Sequence, residues 1–218
     1  MPRVSLTLAL CAVGAALNPL QVCHHKTCAK NGLAKRTLDI AHVLGGPEAA
    51  VPTTACQSGC NAGTVSVVGR RFYDVERASA ATLAAILEIE LDLVVSDAAV
   101  DACDRIAAAD AAQRRGDKDG ARETLRALLD DAAALAAAPR LEALAAVRLF
   151  DLLAGEAAQR EALEPILIRS AEHDAAATWR LAASRGARGD CDGQRDVLIA
   201  LTKREPAAAD AVRELMET

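Results

Sequence analysis

Alanine dominates the second half of the chain and restricts what that half can fold into. It supplies 51 of the 218 residues, and after Asp97 the β-branched and aromatic runs typical of strands disappear. Alanine has the highest helix propensity, and its small side chain lets neighbouring helices approach closely. Residues 97–218 are therefore predicted to form an all-helical domain whose helices pack through small side chains.

A self-similar motif divides this helical segment into hairpins. The sequence Arg115-Gly-Asp-Lys-Asp-Gly120 returns 73 residues later as Arg188-Gly-Asp-Cys-Asp-Gly193. In each copy the glycine is expected to end one helix and the following aspartate to cap the next. The offset is twice the tetratricopeptide period of about 34 residues plus a short insertion. Residues 105–218 resemble a degenerate tetratricopeptide array, with Gln194 where a small residue is usual. That resemblance implies a concave surface for a docked protein, and an unspecialised helical bundle is the alternative.

The preceding segment, residues 20–96, has a mixed pattern. Apolar residues at helical spacing predict helices over 33–44 and 79–93. The β-branched run 64–68 and the adjoining run 70–75 predict a hairpin across a glycine. Seven acidic residues balance seven basic residues over 20–95, whereas the helical half carries the acidic excess. The two parts are therefore predicted to be separate domains, the first of them an α/β domain.

Charge and aromatic content exclude one class of partner. The net charge is −5, and the chain has two Phe, one Tyr and one Trp. Nucleic-acid binding needs positive charge against the phosphates, and single strands also need aromatic stacking surfaces. No nucleic-acid partner is expected.

The first nineteen residues have the pattern of a targeting leader. Arg3 precedes the uncharged run Val4–Leu17, which contains the small residues Val13-Gly-Ala15 before a possible cleavage point. This pattern is typical of a signal or organelle leader and is too short for a stable membrane span. We expect residues 1–19 to direct the protein to a plastid or another organelle, the secretory pathway or the cytoplasm being the alternatives.

Four cysteines of the mixed segment form two close pairs. Cys23 and Cys28 are separated by four residues, Cys56 and Cys60 by three, and 27 residues lie between the pairs. Two loops that each present two thiolates can surround one metal centre. The spacing differs from the common zinc knuckles, which prefer two intervening residues. Cys103 and Cys191 lie on predicted alanine-rich helices, where a small buried side chain is expected.

Residues 20–93 resemble the thioredoxin-like 2Fe–2S ferredoxins. The resemblance is carried by the first cysteine loop up to Gly32, by the second loop from Cys56 to Gly63, and by the run Phe72-Tyr-Asp-Val75. It implies a 2Fe–2S cluster with Cys23 and Cys28 on one iron and Cys56 and Cys60 on the other. Ser58 and Thr64 stand where the family usually has Gly and Pro. The fold class expected is α+β/α, a thioredoxin-like domain over 20–96 followed by an all-α, tetratricopeptide-like array over 97–218.

The function predicted from these patterns is one-electron transfer by a 2Fe–2S centre, with the helical domain docking a redox partner or another protein. In the alternative, the same four cysteines are a structural zinc or disulfide staple in a non-redox scaffold protein. No nucleophile and base are spaced for catalysis, so the protein is not expected to be an enzyme. A homodimer is a further possibility.

Overall fold

The computed structural model describes residues 21–23, 33–46, 53–54, 64–67, 70–73, 79–172 and 174–216. Residues 1–19, and with them the predicted leader, lie outside these ranges. None of the helices in the described part is long and apolar enough to cross a membrane.

Four short strands form one sheet. They are β1 (Gln21–Cys23), β2 (Thr53–Thr54), β3 (Thr64–Val67) and β4 (Arg70–Tyr73), in the order β2-β1-β3-β4. β1 pairs with β2 in parallel, whereas β1–β3 and β3–β4 are antiparallel. The β3–β4 hairpin occupies the place that the β-branched run indicated.

Helices make up most of the described residues. In chain order they are α1 (Leu33–Gly45), α2 (Ala80–Leu91), α3 (Asp97–Arg114), α4 (Lys118–Leu129), α5 (Ala132–Ala137), α6 (Pro139–Leu152), α7 (Ala157–Ala162), α8 (Glu164–Ala171), α9 (Ala175–Ala187), α10 (Cys191–Arg204) and α11 (Ala209–Met216). A 3₁₀ turn, Pro206–Ala208, precedes α11. Buried alanines line the helix contacts, among them Ala102, Ala121, Ala145 and Ala146, each fully buried. The prediction of close packing through small side chains is confirmed.

The repeated glycine–aspartate turn has the same structure in both copies. Gly116 and Gly189 adopt positive φ angles of 86° and 78°, which favour glycine. The side chains of Asp117 and Asp190 accept hydrogen bonds from the backbone N–H groups of Gly120 and Gly193. The predicted ends and caps of these helices are therefore confirmed in both α3–α4 and α9–α10.

Backbone hydrogen bonds extend this equivalence. Asp117 N donates to Ala112 O and Asp190 N donates to Arg185 O, both at 3.0 Å. The donors are 73 residues apart, and so are the acceptors. The hairpins α3–α4 and α9–α10 are thus two copies of one local structure.

The turn aspartates and glycines are expected to contribute equally in the two copies. Removing the cap with Asp117→Ala or Asp190→Ala should each cost about 1 kcal/mol of folding free energy, because the first turn of the next helix loses a side-chain acceptor. Gly116→Ala and Gly189→Ala should each cost about 1–2 kcal/mol, because a Cβ is strained at positive φ. Urea unfolding of the four variants measures these values. A cost confined to one copy would contradict the equivalence.

The predicted fold class is wrong, because helices dominate the structure and the sheet is not its centre. The strands are two to four residues long. One continuous apolar core contains Val22 of β1, Ile40 of α1 and Leu87 of α2, and runs on through the helical array to Leu181 of α9. A thioredoxin-like α/β domain would be built around a central sheet. Here α1 and α2 bury their apolar faces against other helices, which corrects the class to a mostly helical one. The domain boundary at residues 96–97 stays a prediction.

Helix α1 lies on the side of the array formed by the first helices of successive hairpins. The helices α3, α6 and α9 contact one another in sequence, and α1 contacts both α3 and α6. Asp39 of α1 accepts a hydrogen bond of 2.9 Å from Arg148 of α6. At the other end of the mixed segment, the side chain of Asp104 in α3 accepts from Ala80 N at the start of α2. The first-helix side of the array is therefore partly covered by this chain's own α1.

Candidate cysteine site

Cys23 is the one predicted ligand that lies in the described residues. It ends strand β1, is 2% exposed, and forms a small buried cluster with Ala34 in the first turn of α1. Its thiol is free. The side chain is thus shielded between the end of a strand and the start of a helix.

The parallel pairing of β1 with β2 places side by side the two strand ends from which the cysteine loops begin. Cys23 lies opposite Thr54 in the parallel register, and neighbouring strands are about 4.8 Å apart. Parallel strands end at the same edge of a sheet, so the chain leaves Cys23 and Thr54 from one edge. Cys56 follows Thr54 by two residues, and Cys28 follows Cys23 by five. Cys28, Cys56 and Cys60 lie outside the described residues.

Within the described residues no three His, Cys, Asp or Glu side chains lie close enough together to bind a metal ion. The prediction of a thioredoxin-like, metal-binding ferredoxin is therefore wrong for the described residues, which are mostly helical and contain no such group of ligands.

The two cysteines of the helical part differ from each other. Cys103 of α3 is fully buried, as predicted. Two causes together raise the pKa of the Cys103 thiol to about 12: first its burial, which removes solvation of the thiolate, and second the neighbouring negative charge of Asp104. Cys191 is the first residue of α10 and is exposed. The prediction that it is buried is wrong, because it lies in the first turn of the helix, directly after the capping Asp190, and not among the buried residues of that helix.

Cys103 is expected to resist alkylation in the folded protein at pH 8, whereas Cys191 reacts with iodoacetamide. The buried thiol is inaccessible and keeps its proton, and only the thiolate is nucleophilic. In the unfolded chain the thiol ionises near pH 9, so stability should fall as the pH rises from about 9 toward 12. Peptide mass spectrometry and urea unfolding at pH 8 and pH 10 measure both effects. Equal labelling of the two cysteines would contradict the burial of Cys103.

An arginine-centred ion-pair cluster joins α1 to the array, and sequence reasoning did not find it. Arg148 Nη2 lies 2.9 Å from Asp39 Oδ2, and its Nε lies 3.4 Å from Asp110 Oδ1 of α3. Lys35 also contacts Asp39, at 2.9 Å. The side chains of Arg148, Asp39 and Asp110 are 21%, 16% and 14% exposed. This cluster fixes the helix that follows the first cysteine loop.

Further arginines tie successive hairpins together. Arg180 of α9 forms a bidentate contact with Asp151 of α6, at 2.8 Å through both hydrogen bonds, and this contact raises the pKa of the guanidinium. Arg188, which directly follows α9, contacts Glu161 and Glu164 of the preceding hairpin. Bidentate arginine–carboxylate pairs fix orientation as well as distance. The array is therefore held at fixed angles by polar as well as apolar contacts.

Comparison of the chain with protein-family models, with curated proteins and with solved structures finds no match. The identification of residues 20–93 as a thioredoxin-like ferredoxin is wrong, because the described structure is mostly helical. No family model supports that resemblance or the one to the tetratricopeptide family. The helical array itself, with its repeated turn, does not depend on either family.

Proposed function

We propose that this protein is a one-electron carrier in which Cys23, Cys28, Cys56 and Cys60 hold a 2Fe–2S cluster, attached to a helical array that docks a partner protein. The observation that carries the proposal is the parallel pairing of Cys23 with Thr54. It starts both cysteine loops from one edge of the sheet, on neighbouring strands. Two pairs of cysteines then need only short loops to reach a common centre.

The residues fit such a group in chemistry and in environment. Four thiolates are the usual ligand set of a 2Fe–2S cluster, which supplies a one-electron couple when bound. Cys23 is a free thiol at the end of a strand and is nearly inaccessible to solvent. A buried sulfur ligand limits hydrolysis and oxidation by solvent, and nearby backbone N–H groups adjust the potential of such sites.

Anchoring on both sides of the first loop supports the same function. The loop that contains Cys28 begins at β1, where Val22 is buried in the main core, and ends at α1, which packs on α3 and α6. Asp39 and Arg148 then fix α1 from the side of the array. Rigid supports of this kind keep ligand positions constant during a change of redox state.

The experiment is metal and sulfide analysis of full-length protein purified without oxygen. We expect about two irons and two acid-labile sulfides per chain, visible absorption, and an electron-spin resonance signal after reduction with dithionite. Cys56→Ser should remove the cluster. The matched control is Cys191→Ser, which changes an exposed cysteine far along the chain and should leave the cluster intact. Colourless protein with one zinc per chain would overturn the proposal.

A structural role for the four cysteines is the second candidate function, and one observation favours it. The core that contains Val22 and α1 is continuous with that of the array, so a zinc staple in the first segment would stabilise the whole scaffold. In this case the protein binds its partner through the array and is not reduced by dithionite. Stoichiometric zinc together with undiminished partner binding would support this candidate.

A further inference from the structure

Arg160 of α7 differs from the ion-paired arginines of this array, because its contacts are with the backbone and the ring of Phe150. Its Nε donates a hydrogen bond of 3.1 Å to the carbonyl oxygen of Phe150. Its Cζ lies 4.3 Å from the centroid of the Phe150 ring, and that residue is 3% exposed. The hydrogen bond and the cation–π contact hold the guanidinium against Phe150. The hydrogen bond uses Nε, so neither terminal nitrogen is the donor in it.

The charge of Arg160 is not compensated as those of neighbouring arginines are. Arg122 contacts Glu156 at 2.5 Å, and Arg185 contacts Glu164 at 3.2 Å. Among the residues that the structure describes, no carboxylate lies within 4.0 Å of Arg160. A half-buried cation without an anion is electrostatically costly unless solvent or a ligand supplies one.

A cleft of about 230 Å³ opens beside this guanidinium, between the α6–α7 connection and α9. One wall is formed by Phe150, Gly155, Ala157 and Arg160, and the other by Ala183, Ser184, Ala187 and Arg188. The small side chains of the second wall leave the space open. Gly155, at a φ of 87°, has no atom within 4 Å of the position a Cβ would take.

The balance of charge in this cleft is positive. Arg188 is already paired with Glu161 at 2.8 Å and with Glu164 at 2.5 Å. Arg160 therefore supplies the uncompensated charge, while the alanines and the phenylalanine supply apolar contact. Ligand sites commonly combine an apolar lining with one or two fixed polar groups in this way.

We propose that the cleft binds a small organic carboxylate with a compact apolar body. The carboxylate accepts hydrogen bonds from the terminal nitrogens of Arg160, and the body lies against Ala183 and Ala187. At about 30 Å³ for each water-sized group, the volume accommodates about eight non-hydrogen atoms. That size fits a free metabolite-sized acid and excludes a helix or strand of a partner protein. The site is independent of the four cysteines.

The test is a titration of isotopically labelled, full-length protein, followed through the Nε–Hε resonance of Arg160 by NMR. Benzoate is the probe, benzamide is its neutral isostere, and inorganic phosphate is an anion without an apolar body. We expect a saturable shift with benzoate and binding weaker by on the order of tenfold with either of the others. Equal binding of benzoate and benzamide, equal binding of phosphate, or no saturable shift would each overturn the proposal.

Variants locate the binding. Arg160→Gln should weaken benzoate binding by on the order of tenfold, and Arg115→Gln, which changes an exposed arginine of the first repeated turn, should leave it unchanged. Since Arg160→Gln also removes the contact with Phe150, Ala183→Leu provides a second variant. It fills the cleft from the exposed side of α9 and keeps Arg160, so benzoate binding should be lost while the fold is retained. Undiminished binding to Ala183→Leu would place the ligand elsewhere and overturn the proposal.

Discussion

Leu125→Ala is expected to lower the free energy of unfolding of the whole protein by about 3 kcal/mol, within the range of about 2–5 kcal/mol found for buried leucines. Leu125 is 1% exposed in α4 and belongs to the continuous core that extends from Val22 to Leu181. The substitution removes apolar burial and leaves a cavity where α4 packs between α3 and α6. Urea unfolding followed by circular dichroism measures the loss.

The equivalent residue of the second copy provides the matched comparison. Leu198 lies 73 positions further on and is also 1% exposed, but it belongs to a separate small cluster with Ala182, Leu201 and Val212. In repeat arrays each unit contacts only the adjacent units, so a terminal unit can unfold locally while the others stay folded. Leu198→Ala should therefore accelerate hydrogen exchange in α10 and α11 and leave the global transition nearly unchanged.

The opposite pattern would contradict this division of the core. If Leu198→Ala lowers the global free energy of unfolding as much as Leu125→Ala does, the two clusters unfold as one cooperative unit. If Leu125→Ala affects exchange in α3 and α4 alone, the continuous core is not cooperative. Leu215→Ala, at a side chain that is 44% exposed, is the control for a change that creates no buried cavity.

Local features of the array could be read from the sequence, because their causes are local. The positive φ of Gly116 and Gly189 and the caps made by their following aspartates depend on residues within one turn. These were predicted correctly for that reason. Gln194, in contrast, looked like a departure from the repeat. The structure shows why it is tolerated: a Cβ on Gly186 would lie 2.7 Å from Gln194 Oε1, so the missing side chain at one position makes room at the other.

Features that depend on distant residues could not be read in this way. Asp39 and Arg148 are 109 positions apart, and no local pattern marks either as the partner of the other. The fold class failed for a related reason. The β-branched run in the first segment indicated strands correctly. Such a local pattern does not show how many helices surround the strands, or that α1 and α2 share the core of the array. The candidate site shows the same limitation of local patterns. The spacing of the four cysteines is visible in the sequence, but the pairing of Cys23 with Thr54 on neighbouring parallel strands is visible only in the structure.

Arg148→Met is expected to lower the free energy of unfolding by about 3 kcal/mol. Removing one member of a largely buried ion-pair cluster leaves the others without a counter-charge, which typically costs about 3–5 kcal/mol. Here the carboxylates of Asp39 and Asp110 remain, 16% and 14% exposed. Lys35 still contacts Asp39 and partly compensates its charge. We therefore expect a loss of stability at the lower end of that range. Urea unfolding measures the total, and hydrogen exchange should quicken first in α1.

The control is Arg169→Met, which breaks the contact between Arg169 and Glu142 at 2.6 Å. Arg169 is 59% exposed, and exposed pairs contribute about 0–1 kcal/mol. Adding Asp39→Asn and Asp110→Asn to the Arg148→Met background should restore part of the lost stability, because no uncompensated carboxylate then remains. If Arg148→Met costs no more than Arg169→Met, the cluster does not hold α1 on the array. In that case the helix after the first cysteine loop is anchored by apolar packing alone, through Ile40, Val43 and Leu44.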